Sequence, residues 1–159
     1  MIERASSKDL NEILEVINTS NREAFSKIVP KEYFKSPILT LEELKRDFEV
    51  MEFYVYRLNG RIVGVAALQV ESESTGRIRW VYILPEFQRR GIGTALIKHI
   101  EFRARELKLR KLWLVTPEKA YWAINFYRKL NYEVTSKIER AWGFDVVMEK
   151  ELKQTTYYW

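Results

Sequence analysis

The sequence predicts an α/β fold of the α+β kind: a mixed, mostly antiparallel twisted sheet of about seven strands flanked by four helices. Three observations predict it. Two apolar segments meet at Asn59-Gly60, the strongest short hairpin signal a sequence offers. Over residues 77–115 a strand, a glycine-bearing turn, a helix and a second strand follow one another, an order that implies a right-handed crossover and one parallel pair. The chain then closes on a further hairpin, 132–138 with 144–152.

In order, residues 2–5 read as a short strand, and Ser6, Ser7 and Asp9 suit a helix start. Leu10, Ile13, Leu14 and Ile17 recur at helical spacing and carry a first helix to about Ser20. Residues 21–39 read as irregular, with Pro30, Pro37, Tyr33 and Phe34 among charges, a length of loop that usually has a function or is mobile. Thr40 and Glu43 form a capping box for a second helix bearing Leu41, Leu44 and Phe48. Residues 53–58 and 61–70 are the strands of the first hairpin, and 72–76 make the next turn. In 77–84, Ile78, Trp80, Tyr82 and Leu84 alternate with Arg77, Arg79, Val81 and Ile83, giving one apolar and one mixed face. A third helix begins near Gly91 and runs to about Lys108, with Ile92, Leu96, Ile100 and Leu107 on one side. The apolar 111–115 reads as a buried strand. Pro117 suits the first turn of a fourth helix, in which Ala120, Ala123, Phe126, Tyr127 and Leu130 share a face.

At 159 residues and 47% hydrophobic content, the chain is expected to be one domain over 1–153 with an aromatic tail over 154–159. Without cysteine it has no disulfide, thiolate nucleophile or zinc-thiolate site, and the single histidine, His99, argues against a metal cluster or a Ser-His-Asp triad. No metal is therefore expected. No apolar run approaches a membrane span and the N-terminus carries no signal-peptide core, so a soluble, cytoplasmic protein is the expectation. The net charge of +5 reads as a basic surface that draws a polyanionic cofactor rather than as a nucleic acid site.

The motif with chemistry in it is Gln88-Arg89-Arg90-Gly91-Ile92-Gly93-Thr94, between a strand and a helix start. The first backbone N–H groups of a helix have no intrahelical partner and carry the positive end of its dipole, so an anion is favoured there. Gly91 and Gly93 remove β-carbons from its path, and Arg89 and Arg90 add charge. Taken alone, a Gly-x-Gly here serves a tight turn or close packing equally well. It lacks the Lys-Ser/Thr ending of a nucleotide-hydrolase P-loop, and it does not complete the dinucleotide fingerprint.

Two stretches, Trp80-Val-Tyr-Ile-Leu-Pro-Glu-Phe-Gln-Arg-Arg-Gly-Ile-Gly-Thr-Ala-Leu and Ala123-Ile-Asn-Phe-Tyr-Arg-Lys-Leu-Asn-Tyr, together with the element order, resemble the GCN5-related N-acetyltransferase (GNAT) family over nearly the whole chain. The resemblance implies that the fourth and fifth strands splay apart to admit the pantetheine arm of acetyl-CoA. Val81, Tyr82 and Ile83 would then lie beside the arm, and residues 88–94 under the pyrophosphate. It also implies that Tyr127 protonates the departing thiolate, and a tyrosine with an ordinary pKa of about 10 can do so at neutral pH. On the residues alone, Tyr127 is a core residue on an apolar helix face.

The sequence departs from the family at several positions. Ala120 stands where the family has a cofactor-contacting asparagine, and Asn131-Tyr132 replaces the usual Gly-Phe ending. Arg77 and Val115 stand where family members carry base glutamates. Yet the acceptor amine must lose a proton: at pH 7 a lysine side chain pays about 4.6 kcal/mol for it and an α-amine about 1. Glu71, Glu73 and Glu32 are candidate bases, and Trp142, Tyr33 and Phe34 candidate pocket residues, each with an ordinary surface or core role as the alternative. The implied activity is direct acetyl transfer from acetyl-CoA to a primary amine of a peptide, protein or small molecule. A non-catalytic acyl-CoA binding module is the alternative. The resemblance also implies a possible homodimer, with the Tyr157-Tyr158-Trp159 tail a candidate for its contacts.

Overall fold

The computed structural model describes residues 1–153. In chain order they form β1 (Ile2–Arg4), α1 (Leu10–Phe25), α2 (Leu41–Val50), β2 (Glu52–Leu58), β3 (Arg61–Val70), β4 (Thr75–Ile83), α3 (Ile92–Glu106), β5 (Lys111–Pro117), α4 (Tyr121–Lys129), β6 (Glu133–Arg140) and β7 (Gly143–Glu151). The seven strands make one sheet in the order β1-β2-β3-β4-β5-β7-β6, with β4 and β5 its parallel pair. Asn59 and Gly60 both take positive φ, 51° and 79°, which matches their two-residue turn to the twist of β2 and β3. The aromatic tail lies outside the described residues.

Tyr82 and Ile83 show how the helices divide. The Tyr82 hydroxyl accepts a hydrogen bond from Asn21 of α1 at 2.8 Å, whereas Ile83 meets Ile92 and Leu96 of α3 around Gly64. Neighbouring strand residues point to opposite faces, so α1 and α3 cover opposite sides of the sheet. Ile13, Val16 and Ile17 of α1 and Leu96, Ile97 and Ile100 of α3 are buried against it. Each such aliphatic side chain contributes about 1.5–3 kcal/mol through burial. Thr40 caps α2 as its sequence predicts, its hydroxyl accepting from the Glu43 N–H at 3.2 Å and the Glu43 carboxylate accepting from the Thr40 N–H at 2.9 Å.

Three local expectations need correction. First, α1 continues through residues 21–25, where an irregular segment is expected. Tertiary contacts hold these turns: Asn21 is buried on Tyr82, and Phe25 packs on aromatic rings. The loop that follows is tied back by Asn18, whose amide donates to the Leu39 carbonyl at 2.9 Å and accepts from the Leu39 N–H at 3.1 Å.

Second, the alternation in β4 breaks. Val65 faces Tyr82 and Ala67 faces Arg79, which leaves Trp80 and Val81 opposite Ala66 in a bulge with Trp80 at φ 55°. The extra residue puts Arg77, Arg79 and Tyr82 on the α1 face. Third, Pro117 ends β5 in register with Asp145, and α4 starts only at Tyr121. A strand end tolerates the missing N–H of a proline.

Candidate active site

β4 and β5 pair at Thr75 with Lys111, Gly76 with Leu112 and Arg77 with Trp113, and no further, although β4 continues to Ile83 and β5 to Pro117. From there β5 stays with β7, while the bulge bends β4 away. A wedge-shaped gap opens between them. Along it the β4 edge has no strand partner among the described residues, and backbone N–H and C=O groups left this way are a template for an extended, amide-bearing chain. Val81, Tyr82 and Ile83 lie on this stretch.

At the end of β4 a 3-10 turn, Pro85–Phe87, leads into the glycine loop. The Gln88 side chain donates to the Ile83 carbonyl at 3.1 Å and ties the loop to the strand. Arg89 and Gly91 take left-handed backbone, φ 64° and 80°, and Gly91 immediately precedes α3. Among the described residues no side chain caps that helix and no acidic residue occupies its first turn, so its amides are open to an anion. Arg90 is exposed, with its guanidinium over the Phe87 ring at 5.2 Å. Gly93 also has a packing reason. A β-carbon there would lie 3.2 Å from the Phe126 ring, so this glycine permits α3 and α4 to approach.

Tyr127 lies on the inner face of α4, 8% exposed, with edge contacts to Phe126 and Tyr132. Among the described residues its hydroxyl takes no hydrogen bond. Burial, reinforced by the nearby Tyr82 phenol, raises its pKa above the usual tyrosine value and keeps the proton on the oxygen. It is an uncommitted donor. Asn131 adopts φ 72° just past α4, filling the left-handed position that glycine usually takes. Ala120 is fully buried at the start of α4 and offers no polar group.

On the α1 face, Phe25 meets Tyr82 edge-on at 6.3 Å and Trp122 of α4 at 6.1 Å, so an aromatic bridge joins α1 to α4. Trp80 donates its indole N–H to Asp47 of α2 at 2.9 Å. Asn21, Phe25 and Trp122 escape a reading of the sequence, because no local pattern marks a mid-helix asparagine or an exposed tryptophan as part of a shared cluster. Glu71 is exposed and accepts the Trp113 indole N–H. Glu73 and Glu32 are exposed in connecting segments, and His99 packs against the Tyr54 ring at 4.7 Å, a structural contact. Trp142 stands in the β6–β7 turn, and Tyr33 and Phe34 in the segment between α1 and α2.

The family model described as the acetyltransferase (GNAT) family matches residues 10–132. An uncharacterized N-acetyltransferase of Methanocaldococcus jannaschii is 34% identical over 107 residues, 62% of this chain and 45% of that protein. An amino-acid acetyltransferase of Pseudomonas fluorescens is 33% identical over 100 residues, 62% of this chain and 22% of that protein. The chain thus spans less than half the length of either relative. In fold it is similar to the PaiA N-acetyltransferase of Thermoplasma acidophilum, solved in complex with coenzyme A. That likeness has a TM-score of 0.79 at 21% identity and covers 95% of this chain and 98% of that one.

Proposed function

Because the chain belongs to the GNAT acetyltransferase family, whose model covers residues 10–132, we propose that it transfers the acetyl group of acetyl-CoA directly to a primary amine. The observation that carries this reading is the gap that opens beyond Arg77 and Trp113, flanked by an uncapped helix start, together with a buried Tyr127 hydroxyl that is near the Tyr82 phenol and makes no hydrogen bond among the described residues. Acetyl-CoA supplies an acyl group activated as a thioester. The β4 backbone at Val81, Tyr82 and Ile83 binds the pantetheine amides. Gln88, Arg89, Arg90, Gly91, Ile92, Gly93 and Thr94 surround the pyrophosphate, chiefly through α3 amides and the two guanidinium groups. With no cysteine in the chain, the neutral amine attacks the carbonyl itself: the C–N bond forms, the C–S bond breaks, Tyr127 protonates the sulfur, and the proton released by the nitrogen passes through water to restore the phenol. Positioning in the gap and the retained tyrosine proton supply the rate.

Calorimetric titration with acetyl-CoA and with S-acetylpantetheine tests the cradle. Hydrogen bonds to a charged group are worth about 1.5–3 kcal/mol each, so losing two of them weakens binding about 10²–10⁴-fold. Equal affinity for the two ligands would remove the helix start from the site. A thiol-release assay over a panel of amines then tests transfer. Tight acetyl-CoA binding with no turnover on any amine would favour the acyl-CoA binding module that buried Ala120 and the missing glutamates suggest.

A further inference from the structure

Arg77 stands at the last rung before β4 and β5 part, its guanidinium stacked over the Trp113 ring at 4.6 Å. Its Nε is buried and has no hydrogen-bond partner among the described residues. Ser20 Oγ is the other side-chain atom of this kind among the described residues. The charged groups around Arg77 are Arg79 on β4, Arg140 on β6 and Glu71 after β3. Arg140 already pairs with Asp145 at 2.8 Å, and Glu71 is exposed and engaged by the Trp113 indole. Arg79 lies over the Trp80 ring at 5.4 Å. Among the described residues neither Arg77 nor Arg79 has a carboxylate partner. The cluster is short of one anion, and a buried guanidinium N–H without an acceptor is costly to leave so.

The position of the cluster says which ligand supplies that anion. Arg77, Arg79 and Tyr82 face α1, away from the α3 helix start that faces the phosphates. A planar guanidinium fork matches a carboxylate through two parallel hydrogen bonds. We infer that Arg77, supported by Arg79, reads a carboxylate on the acceptor, so that the acceptor is a small amine carrying a carboxylate. The same cations repel polyamines and lysine side chains, and they disfavour the ammonium form of a bound amine, which offsets the absence of a glutamate base at Arg77 and Val115. Naming this ligand the acceptor rests on the transferase reading above; the anion site can be measured without turnover.

The test is calorimetry on coenzyme A-saturated protein with L-amino acids, each against its α-carboxamide, and with phosphoethanolamine, using wild type, Arg77→Met and Arg77→Lys. At least one acid should bind wild type tenfold or more tighter than its carboxamide. Arg77→Met should abolish that preference and Arg77→Lys retain part of it, with coenzyme A affinity held within twofold of wild type and the melting temperature unchanged. Should Arg77→Met fail to fold, the acid-to-carboxamide ratios of wild type and Arg77→Lys decide. The inference is overturned if no acid binds, if acids and carboxamides bind alike, if phosphoethanolamine binds tighter than every acid, or if Arg77→Met keeps the preference. Selective acid binding without acetyl transfer would leave the anion site standing and remove the transferase reading. Transfer to acids and carboxamides alike would do the reverse.

Discussion

Two buried tyrosines in contact with each other differ in what their hydroxyls do. The Tyr132 hydroxyl donates to Glu101 at 2.7 Å, and Lys150 holds the same carboxylate at 3.0 Å. The Tyr127 hydroxyl makes no hydrogen bond among the described residues. Tyr132→Phe should therefore cost about 1–3 kcal/mol in urea unfolding and leave kcat within twofold. Tyr127→Phe should shift stability by less than about 0.5 kcal/mol and lower kcat roughly 10²-fold or more, the contribution of a positioned acid, with acetyl-CoA affinity retained. An unchanged kcat would take Tyr127 out of the mechanism. Its pH dependence has a defined sign. Burial raises the folded pKa above 10, so the phenol stays protonated through that range and activity should rise as the amine loses its proton, without an alkaline decline before about pH 10. A decline between pH 8 and 10 in the wild type that Tyr127→Phe abolishes would contradict this.

At the scale of elements, the chain order of strands and helices, the hairpin at Asn59-Gly60, the α2 capping box and the helix start at Gly91 are legible in the sequence because each signal is local. A left-handed pair makes the turn, a Thr-x-x-Glu closes the cap, and a glycine with φ 80° precedes α3. The features that shape the gap are set by distant contacts instead. Nothing about a tryptophan announces the positive φ at Trp80, which follows from its indole reaching Asp47 on α2 and from the pairing of β4 with β3. The polar turn at the end of α1 is helical because Asn21 finds Tyr82 and Phe25 finds Trp122. Arg77 shows in the sequence only as a missing glutamate; that its Nε lacks a partner is a fact of three dimensions. If Asn21 is what holds the last turns of α1, Asn21→Ala should cost about 1–3 kcal/mol by leaving the Tyr82 phenol unpaired. Hydrogen exchange should then quicken over residues 21–25 while α3 keeps its protection, and uniform quickening across both helices would mean that Asn21 has no local role.

Across the whole molecule, ion pairs fasten the β1–β2 edge to its surroundings. Arg57 binds Glu3 and Asp9, with the Asp9 contact at 2.6 Å, and Glu52 takes Arg103 of α3 at 2.9 Å. Burial alone would raise the Glu52 pKa, but hydrogen bonds from Arg103 and Tyr54 and the charge of Arg4 outweigh it and hold the carboxyl below its ordinary 4.5. Asp9 behaves alike: the Ser6 N–H and Arg57 overcome the effect of burial, and its pKa falls below 3.8. A carboxylate whose folded pKa is depressed stabilises the fold fully above its unfolded pKa and loses that contribution as pH falls through the folded value. Stability should therefore be level from about pH 5 to about pH 9 and fall below about pH 4, and part of the fall should belong to Glu52. Arg103→Met isolates that part, since it removes the partner and keeps most of the aliphatic stem over α3. In urea titrations the variant should lose about 1 kcal/mol at pH 6.5, the order expected for a partly exposed charged pair. At a pH low enough to protonate Glu52 in both proteins, the difference should close toward zero. If it is the same size at both pH values, Arg103 acts through packing of its stem and the edge is not held by charge.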